Sequence, residues 1–454
     1  MTATEYSISR LRDTVAGSVT SADGTDTAGF QLAAPHRPAV VVGVTTVADV
    51  VAAVRYATAN DLPVGVQATG HGRSVAIDGG VLVDTSRMAQ VRIDAQARSA
   101  RAEAGAKWGD VVAAAAKDGL APLNGSAPTV GVVGYTLGGG LGLLARQYGY
   151  AADHVRAIEL VTADGEARRV TATDEPDLFW ALRGAGANFG VVTAIDMDLV
   201  PLERIYGGTL FFDAGQLPAV LDAYRNWTLG VPEELTSSLI TLPIPDIPQI
   251  PEPIRGRFVV RVHVAYTGDA ATGERLVEPL RAVGPRLIDS LRGMPYTESH
   301  TIYNEPAMPH AYRGDNLRLR ELDPAVLREV FAISGPDAPV MCVVDIRHIG
   351  GAASRAPEVA NAVHRDDSGY LLRILSPFSA EDLDVVTDVH RRFFAAAQPW
   401  ATGRALNFLY RPGVAATEAD LRQIYGDAGY DRLRAIKATY DPANTFQINH
   451  NIVP

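Results

Sequence analysis

The chain has 454 residues, 47% hydrophobic and 20% charged, with 52 acidic against 41 basic side chains for a net charge of −11. That length suggests about two to four domains with sizeable cores, and the acidic, scattered charge excludes a nucleic-acid or anionic-membrane surface. One cysteine, Cys342, excludes an internal disulfide and a cysteine-built metal cage, and no apolar stretch reaches the ~18–20 residues that cross a bilayer.

The opening residues, Met1-Thr-Ala-Thr-Glu-Tyr6, have no basic start with an apolar core. No signal peptide is expected, and the expected compartment is the cytoplasm. Residues 39–44 are a β-branched run that predicts a buried strand. Thr46 and Asp49 then form a capping-box pattern ahead of a helix over 47–59, which Pro63 ends. A strand at 64–66 leads into the glycine-rich Thr69-Gly-His71-Gly-Arg-Ser74. Further on, the spacing predicts a strand at 81–84, a hairpin over 91–104 and a helix from Trp108 to Lys117 that stops at Gly119.

Residues 125–149 hold eight glycines in 25 positions, too many for one regular element without heavy entropic cost. A hairpin over 155–170 follows, turned by Asp164-Gly165, then a helix at 176–182, the stretch Gly184–Gly190 and a strand over 191–200. From Arg204 onward strand-like segments (207–212, 237–242, 257–266, 339–349, 370–375) alternate with helical ones (216–228, 271–283), and the Pro-rich 243–253 reads as a long loop. Ser379 and Asp382 cap a helix to about Gln398, and one more helix is expected near 418–439.

The glycine clusters do not fit a dinucleotide fold. Gly138-Gly-Gly-Leu-Gly142 lacks the G-x-G-x-x-G spacing, Gly184-x-Gly186 follows a helix instead of a strand, and no P-loop pattern is present. Any one cluster reads as a tight turn or a packed crossing. Three within the first 190 residues read as a cradle in which main-chain N–H groups hold a long phosphate-bearing cofactor.

In order and spacing, Gln67-Ala-Thr-Gly-His71-Gly, Pro128-Thr-Val-Gly-Val-Val-Gly-Tyr-Thr-Leu-Gly-Gly-Gly140-Leu-Gly, Tyr148-Gly-Tyr-Ala-Ala-Asp153, Asp177–Val192 and the tail Tyr440-Asp-Pro-Ala-Asn444-x-Phe446-x-x-Asn449-x-Asn451-Ile-x-Pro454 are highly specific. They resemble the FAD-linked oxidases of the vanillyl-alcohol oxidase/p-cresol methylhydroxylase (PCMH) superfamily, in its berberine bridge enzyme-like branch. The resemblance implies an α+β fold. Residues 1–203 would form a PCMH-type FAD-binding domain of two α/β subdomains. Residues 204–400 would form a substrate domain with an antiparallel sheet covered by helices, and 401–454 would return to the FAD domain. It also implies FAD linked through its 8α carbon to the histidine of the Gly-His motif, here His71. Many relatives add a cysteinyl link where this chain has Ala127, so a single bond is expected. FAD contacts carry over onto Ala68, Thr69, Gly70, Gly72 and Ser74 around His71. In the second stretch they fall on Thr129, Val130, Gly131, Gly134 and Thr136, then on Gly138, Gly139, Gly140 and Gly142. The later ones are Val192, Asn449 and Asn451.

Glycines on both sides of His71 are read as leaving its ring open to a planar ligand. In strand 339–349, period two sets Val340, Cys342, Val344 and Ile346 on one face and Met341, Val343, Asp345 and Arg347 on the other. If the second face looks onto the flavin, Asp345 and Arg347 are catalytic-site candidates; the equally weighted alternative is a solvated, salt-bridged strand end. His348 falls on the opposite face. The tyrosine base of the carbohydrate-oxidising relatives is missing from Ala405-Leu-Asn407-Phe408, with Tyr410 close by as a third catalytic candidate. That departure resembles the singly linked amine oxidases more than the sugar oxidases. Tyr303, His310 and Tyr312 form a polar aromatic patch in a loop-like region; ordinary loop residues are the first reading and pocket lining the second. The expectation is an FAD-dependent oxidase that takes hydride from a C–H of a small amine, alcohol or heterocycle, with O2 as acceptor and no metal. A dehydrogenase or oxidative cyclase, and a non-catalytic flavin-binding protein, are the rivals.

Overall fold

The computed structural model describes residues 7–21 and 27–454. The leader reading of Met1–Tyr6 lies outside them. Among the described residues three larger sheets follow one another along the chain, beside a short pairing of Leu120–Ala121 with Val200–Pro201. The first runs Ser18–Ser21, Val40–Gly43, Val81–Asp84, Val64–Gln67, its last three strands parallel. The β-branched Val40–Gly43 is buried along its whole length, and helix Val47–Ala59 packs beside it behind the Thr46/Asp49 capping box. The second sheet is antiparallel throughout: Val91–Asp94, Ser99–Glu103, Val191–Asp198, Val155–Val161, Ala167–Val170.

The third sheet has nine strands. Its centre runs Arg204–Asp213, Phe258–Tyr266, Leu235–Pro243, Val343–His348, Tyr370–Pro377, Tyr312–Leu319, and Ala401–Gly403 adds an edge. Helices Leu217–Thr228, Ala270–Arg281, Pro324–Ser334 and Leu383–Ala397 cover one face, burying Tyr224, Val277, Val330 and Phe393 against Cys342, Val344 and Ile346. The alternation read from the sequence therefore sorts the strand correctly. Met341, Val343, Asp345 and Arg347 turn the other way, into a cavity facing the first two sheets.

Strand Tyr312–Leu319 and helix Pro324–Ser334 escape the sequence pattern. Tyr312-Arg-Gly-Asp-Asn-Leu-Arg-Leu319 is poor in β-formers, and buried ion pairs hold it instead. Asp315 takes Arg404 Nη1 at 2.5 Å and Arg411 at 2.7 Å, while Arg411 also bridges Asp420 at 2.8 Å. Helix 418–439 is really two, Glu418–Tyr425 and Asp427–Tyr440. They break at Gly426, whose φ of +70° a chain of L side chains avoids.

The tail helices bring Leu421, Ile424, Leu433 and Ile436 back onto the core of the second sheet. Lys437 locks them. Fully buried, its ammonium donates to Asp441 Oδ2 and Asn188 O at 2.7 Å and to Phe446 O at 3.1 Å. Asp441 in turn accepts from the backbone of Thr445 and Phe446. The Asp-Pro-Ala-Asn-x-Phe motif is thus a clamp that sets the Asn449–Asn451 segment. Lys437→Met leaves a buried carboxylate without its cation and should cost about 3–5 kcal/mol, read as a large drop in thermal midpoint. A midpoint unchanged within a degree or two would show that the clamp carries no stability.

Candidate functional site

The turn after strand Val64–Gln67 puts His71 between two left-handed glycines. Gly70 has φ +71° and Gly72 φ +68°. A Cβ at 70 would lie 2.6 Å from Gly29 Cα, and one at 72 would lie 2.9 Å from Tyr410 Cε1, so both positions demand glycine twice over. Phe30 stacks on the imidazole at 3.8 Å and 14°. One ring face is therefore covered and the ring still borders both cavities; no sequence pattern marks Phe30. His71 Nδ1 lies 2.9 Å from Thr69 Oγ1 and Nε2 3.3 Å from Thr129 Oγ1. Burial, with help from Lys107 and His310, lowers its pKa to about 4, so the ring is neutral at neutral pH.

A cavity of about 300 Å³ runs along the turn. Ala68, Thr69, Gly70, Gly72 and Ser74 form one wall; Val130, Gly131, Gly134, Val192 and Asn449 form the other. Thr129 touches His71 but not the cavity, and Gly138 faces only the larger cavity beyond. Like Thr129, five more sequence candidates fall away from both cavities. Thr136 donates to Val132 O inside its own helix. Gly139, Gly140 and Gly142 are tight crossings against Val363, Tyr135 and Asn124, where a side chain would collide. Asn451 also lies off the walls, its buried Oδ1 without a partner among the described residues.

A second cavity, about 450 Å³, joins the first through His71, Gly72, Val130, Gly134, Tyr135 and Asn449. Its roof is the free face of the third sheet. Asp345 Oδ2 accepts from Arg347 Nε and from Arg373 Nη1, each at 2.8 Å, and Asp345 and Arg347 are only 4% and 8% exposed. The pair is salt-bridged as one reading had it, yet buried in the cavity wall as the other required. Burial opposes the Arg347 charge, but Asp345 and Tyr303 outweigh it and hold its pKa above the ordinary arginine value. His348 lies off this face, 2.7 Å from Arg146 Nη1.

Tyr303, His310 and Tyr312 are not plain loop residues; all three line this cavity. The Tyr312 hydroxyl accepts from Gly72 N–H at 2.8 Å, and its ring meets Tyr410 edge-on at 5.6 Å and 90°. Burial raises the pKa values of Tyr303, Tyr312 and Tyr410. Arg261 and Arg373 are wall residues not singled out from sequence, although each interrupts an apolar strand, Phe258-Val-Val-Arg261-Val and Tyr370-Leu-Leu-Arg373-Ile.

The joined cavities fit FAD. Gly134 sits where both meet, and a Cβ there would touch nothing within 4 Å, so the short helix Val132–Leu137 leaves a slot against its backbone. Buried Asn449 Oδ1 and Tyr135 OH have no partner among the described residues, and both residues line that junction.

Comparison with known proteins points the same way. Residues 38–171 match the family described as FAD binding domain, and residues 419–453 match that described as berberine and berberine like. The chain is 30% identical to (R)-6-hydroxynicotine oxidase of Paenarthrobacter nicotinovorans, over 92% of each protein. It superposes on the crystal structure of 6-hydroxy-D-nicotine oxidase from Arthrobacter nicotinovorans with a TM-score of 0.82 and 25% identity, covering 97% of this chain and 98% of that one. Glucooligosaccharide oxidase of Acremonium strictum, which carries a 6-S-cysteinyl, 8α-N1-histidyl FAD, shares the fold with a TM-score of 0.84 at 20% identity, covering 99% of each chain.

If the slot beside Gly134 takes the flavin, Gly134→Ile should give a folded protein, by far-UV circular dichroism, that purifies with less than about a tenth of the normal flavin. Full flavin content in that variant would place the ring elsewhere. The PCMH-type fold and a 92% span of similarity to a curated oxidase assign the chain: it belongs to the berberine bridge enzyme-like FAD-linked oxidases, and it is an FAD-dependent oxidoreductase.

Proposed function

We propose that this oxidase holds its FAD by one covalent bond, from His71, and removes hydride from a C–H beside a nitrogen in a small metabolite, with O2 as the acceptor. FAD supplies the two-electron acceptor and its return by O2 to the oxidised state. The observation that carries the reading is His71: a neutral imidazole, a nucleophile without prior deprotonation, fixed at the junction of both cavities. Ala127 stands where the doubly linked relatives have cysteine. Cys342 is buried on the helix-covered face of the third sheet, away from both cavities.

The wall chemistry supports an amine over an alcohol. An alcohol needs its hydroxyl proton removed as hydride leaves; a neutral amine does not. Tyr303, Tyr312 and Tyr410 face the cavity with pKa values pushed up by burial, so at neutral pH they keep their protons and act as donors. Asp345 accepts from two guanidiniums through Oδ2, and its buried Oδ1 has no partner among the described residues. The sheet roof and the stacked Phe30 wall the cavity, and the donors orient the substrate.

Two measurements test this. His71→Ala should release its FAD on acid precipitation, giving a colourless pellet where the wild-type pellet is yellow; a yellow mutant pellet would rule out His71 as the attachment point. Tyr410→Phe should slow anaerobic flavin reduction by less than about 10-fold, whereas a loss of 10²–10⁴ would make Tyr410 a base and return the alcohol reading.

A further inference from the structure

The charge in the substrate cavity does not balance. Arg261, Ile240, Asp345 and Arg373 stand side by side across four adjacent strands, paired as Ile240 with Arg261, Ile240 with Asp345, and Asp345 with Arg373. All four line the cavity, as does Arg347, two residues beyond Asp345 on the same face. Three guanidiniums thus share one interior carboxylate. The remaining carboxylate of the wall, Glu305, is exposed at the rim, accepts from Ser126 Oγ and acts on Arg261 and Arg347 through its charge without a hydrogen bond to either, so three cations face two carboxylates.

Among the described residues, Arg347 donates to protein only through Nε and Arg373 only through Nη1. Their other N–H groups are left over on two side chains 10% and 13% exposed. The Phe408 ring holds both guanidiniums in place, 4.8 Å from Arg347 Cζ and 4.2 Å from Arg373 Cζ. Arg261, buried in part behind Tyr303, donates Nη2 to Tyr303 O at 2.8 Å and has an unpartnered Nε. Buried cations in excess of their counter-ions are costly, and fixed guanidinium forks match the two oxygens of a carboxylate.

We propose that the substrate carries a carboxylate that docks on the free N–H groups of Arg347 and Arg373, with Arg261 adding to the field. The pair then acts as a specificity device. It selects an anionic small molecule and points the opposite end, with its oxidisable C–H, toward the junction at His71. This rests on the larger cavity being the substrate site of the oxidase.

The test is titration of the purified holoenzyme with benzoate and phenylacetate, each against its own uncharged amide, followed by calorimetry and by the flavin visible spectrum. At least one carboxylate should bind about tenfold or more tighter than its amide. Arg347→Gln and Arg373→Gln should each erase that preference while keeping amide binding. Equal affinities in the wild type would overturn the proposal, as would a preference that survives in either variant. Should the variants fail to fold, the wild-type comparison decides alone. Failure of the amine-oxidase reading looks different: an enzyme that prefers carboxylates but releases H2O2 only with alcohols loses that reading and keeps this one.

Discussion

Everything at the site hangs on one short turn. His71 sits between two residues whose backbone lies at positive φ and whose missing side chains are replaced by Gly29 on one side and Tyr410 on the other. Those neighbours come from the N-terminal segment and the tail, so the turn is where distant parts of the chain close on each other. Phe30 N–H bonds Thr69 O and Gln31 N–H bonds Gly70 O, while Tyr312 from the third sheet receives the Gly72 N–H. Phe30 on one face and Thr69 and Thr129 at the two ring nitrogens orient the imidazole and leave it open to both cavities, which is what a reacting group needs if its position is to be set before a ligand arrives.

The third sheet adds a second constraint. Period-two alternation gives its strands one apolar face for the helices and one mixed face for the cavity. Polar side chains on that inner face are tolerated because they pair with one another: Asp345 with Arg347 on its own strand and Arg373 on the next, and Ser238 with His263 on the neighbouring strand and with Tyr303 at 3.0 and 2.9 Å. A buried second network, Asp315 with Arg404 and Arg411, ties the sheet to the tail that also carries Phe408 and Tyr410 into the cavity. The two cavities, the sheet that roofs the larger one and the tail are therefore coupled by charge pairs as well as by apolar burial.

Much of this was legible in the sequence where local chemistry decides the outcome. The Thr46/Asp49 and Ser379/Asp382 caps, the stop at Gly119 and the sorting of Val344 and Ile346 from Asp345 and Arg347 all follow from short-range rules, and the structure shows each. What could not be read locally was long-range. Strand Tyr312–Leu319 is made by ion pairs to residues about ninety positions away. Phe30 reaches His71 only through the closed turn, and Gly139, Gly140 and Gly142 look the same in sequence whether a ligand or a neighbouring chain segment covers them. The excess of arginine in the cavity was hidden because its members sit on three separate strands.

We propose that a single histidine at the meeting point of two cavities carries the flavin. Proteolysis of the denatured wild-type protein, with mass spectrometry of every flavin-bearing peptide, addresses it most directly. The expected result is one such peptide, containing His71, heavier by one FAD and attached at that residue alone. Flavin on a peptide that lacks His71, a peptide pair joined through the flavin, or flavin recovered wholly free would each contradict it.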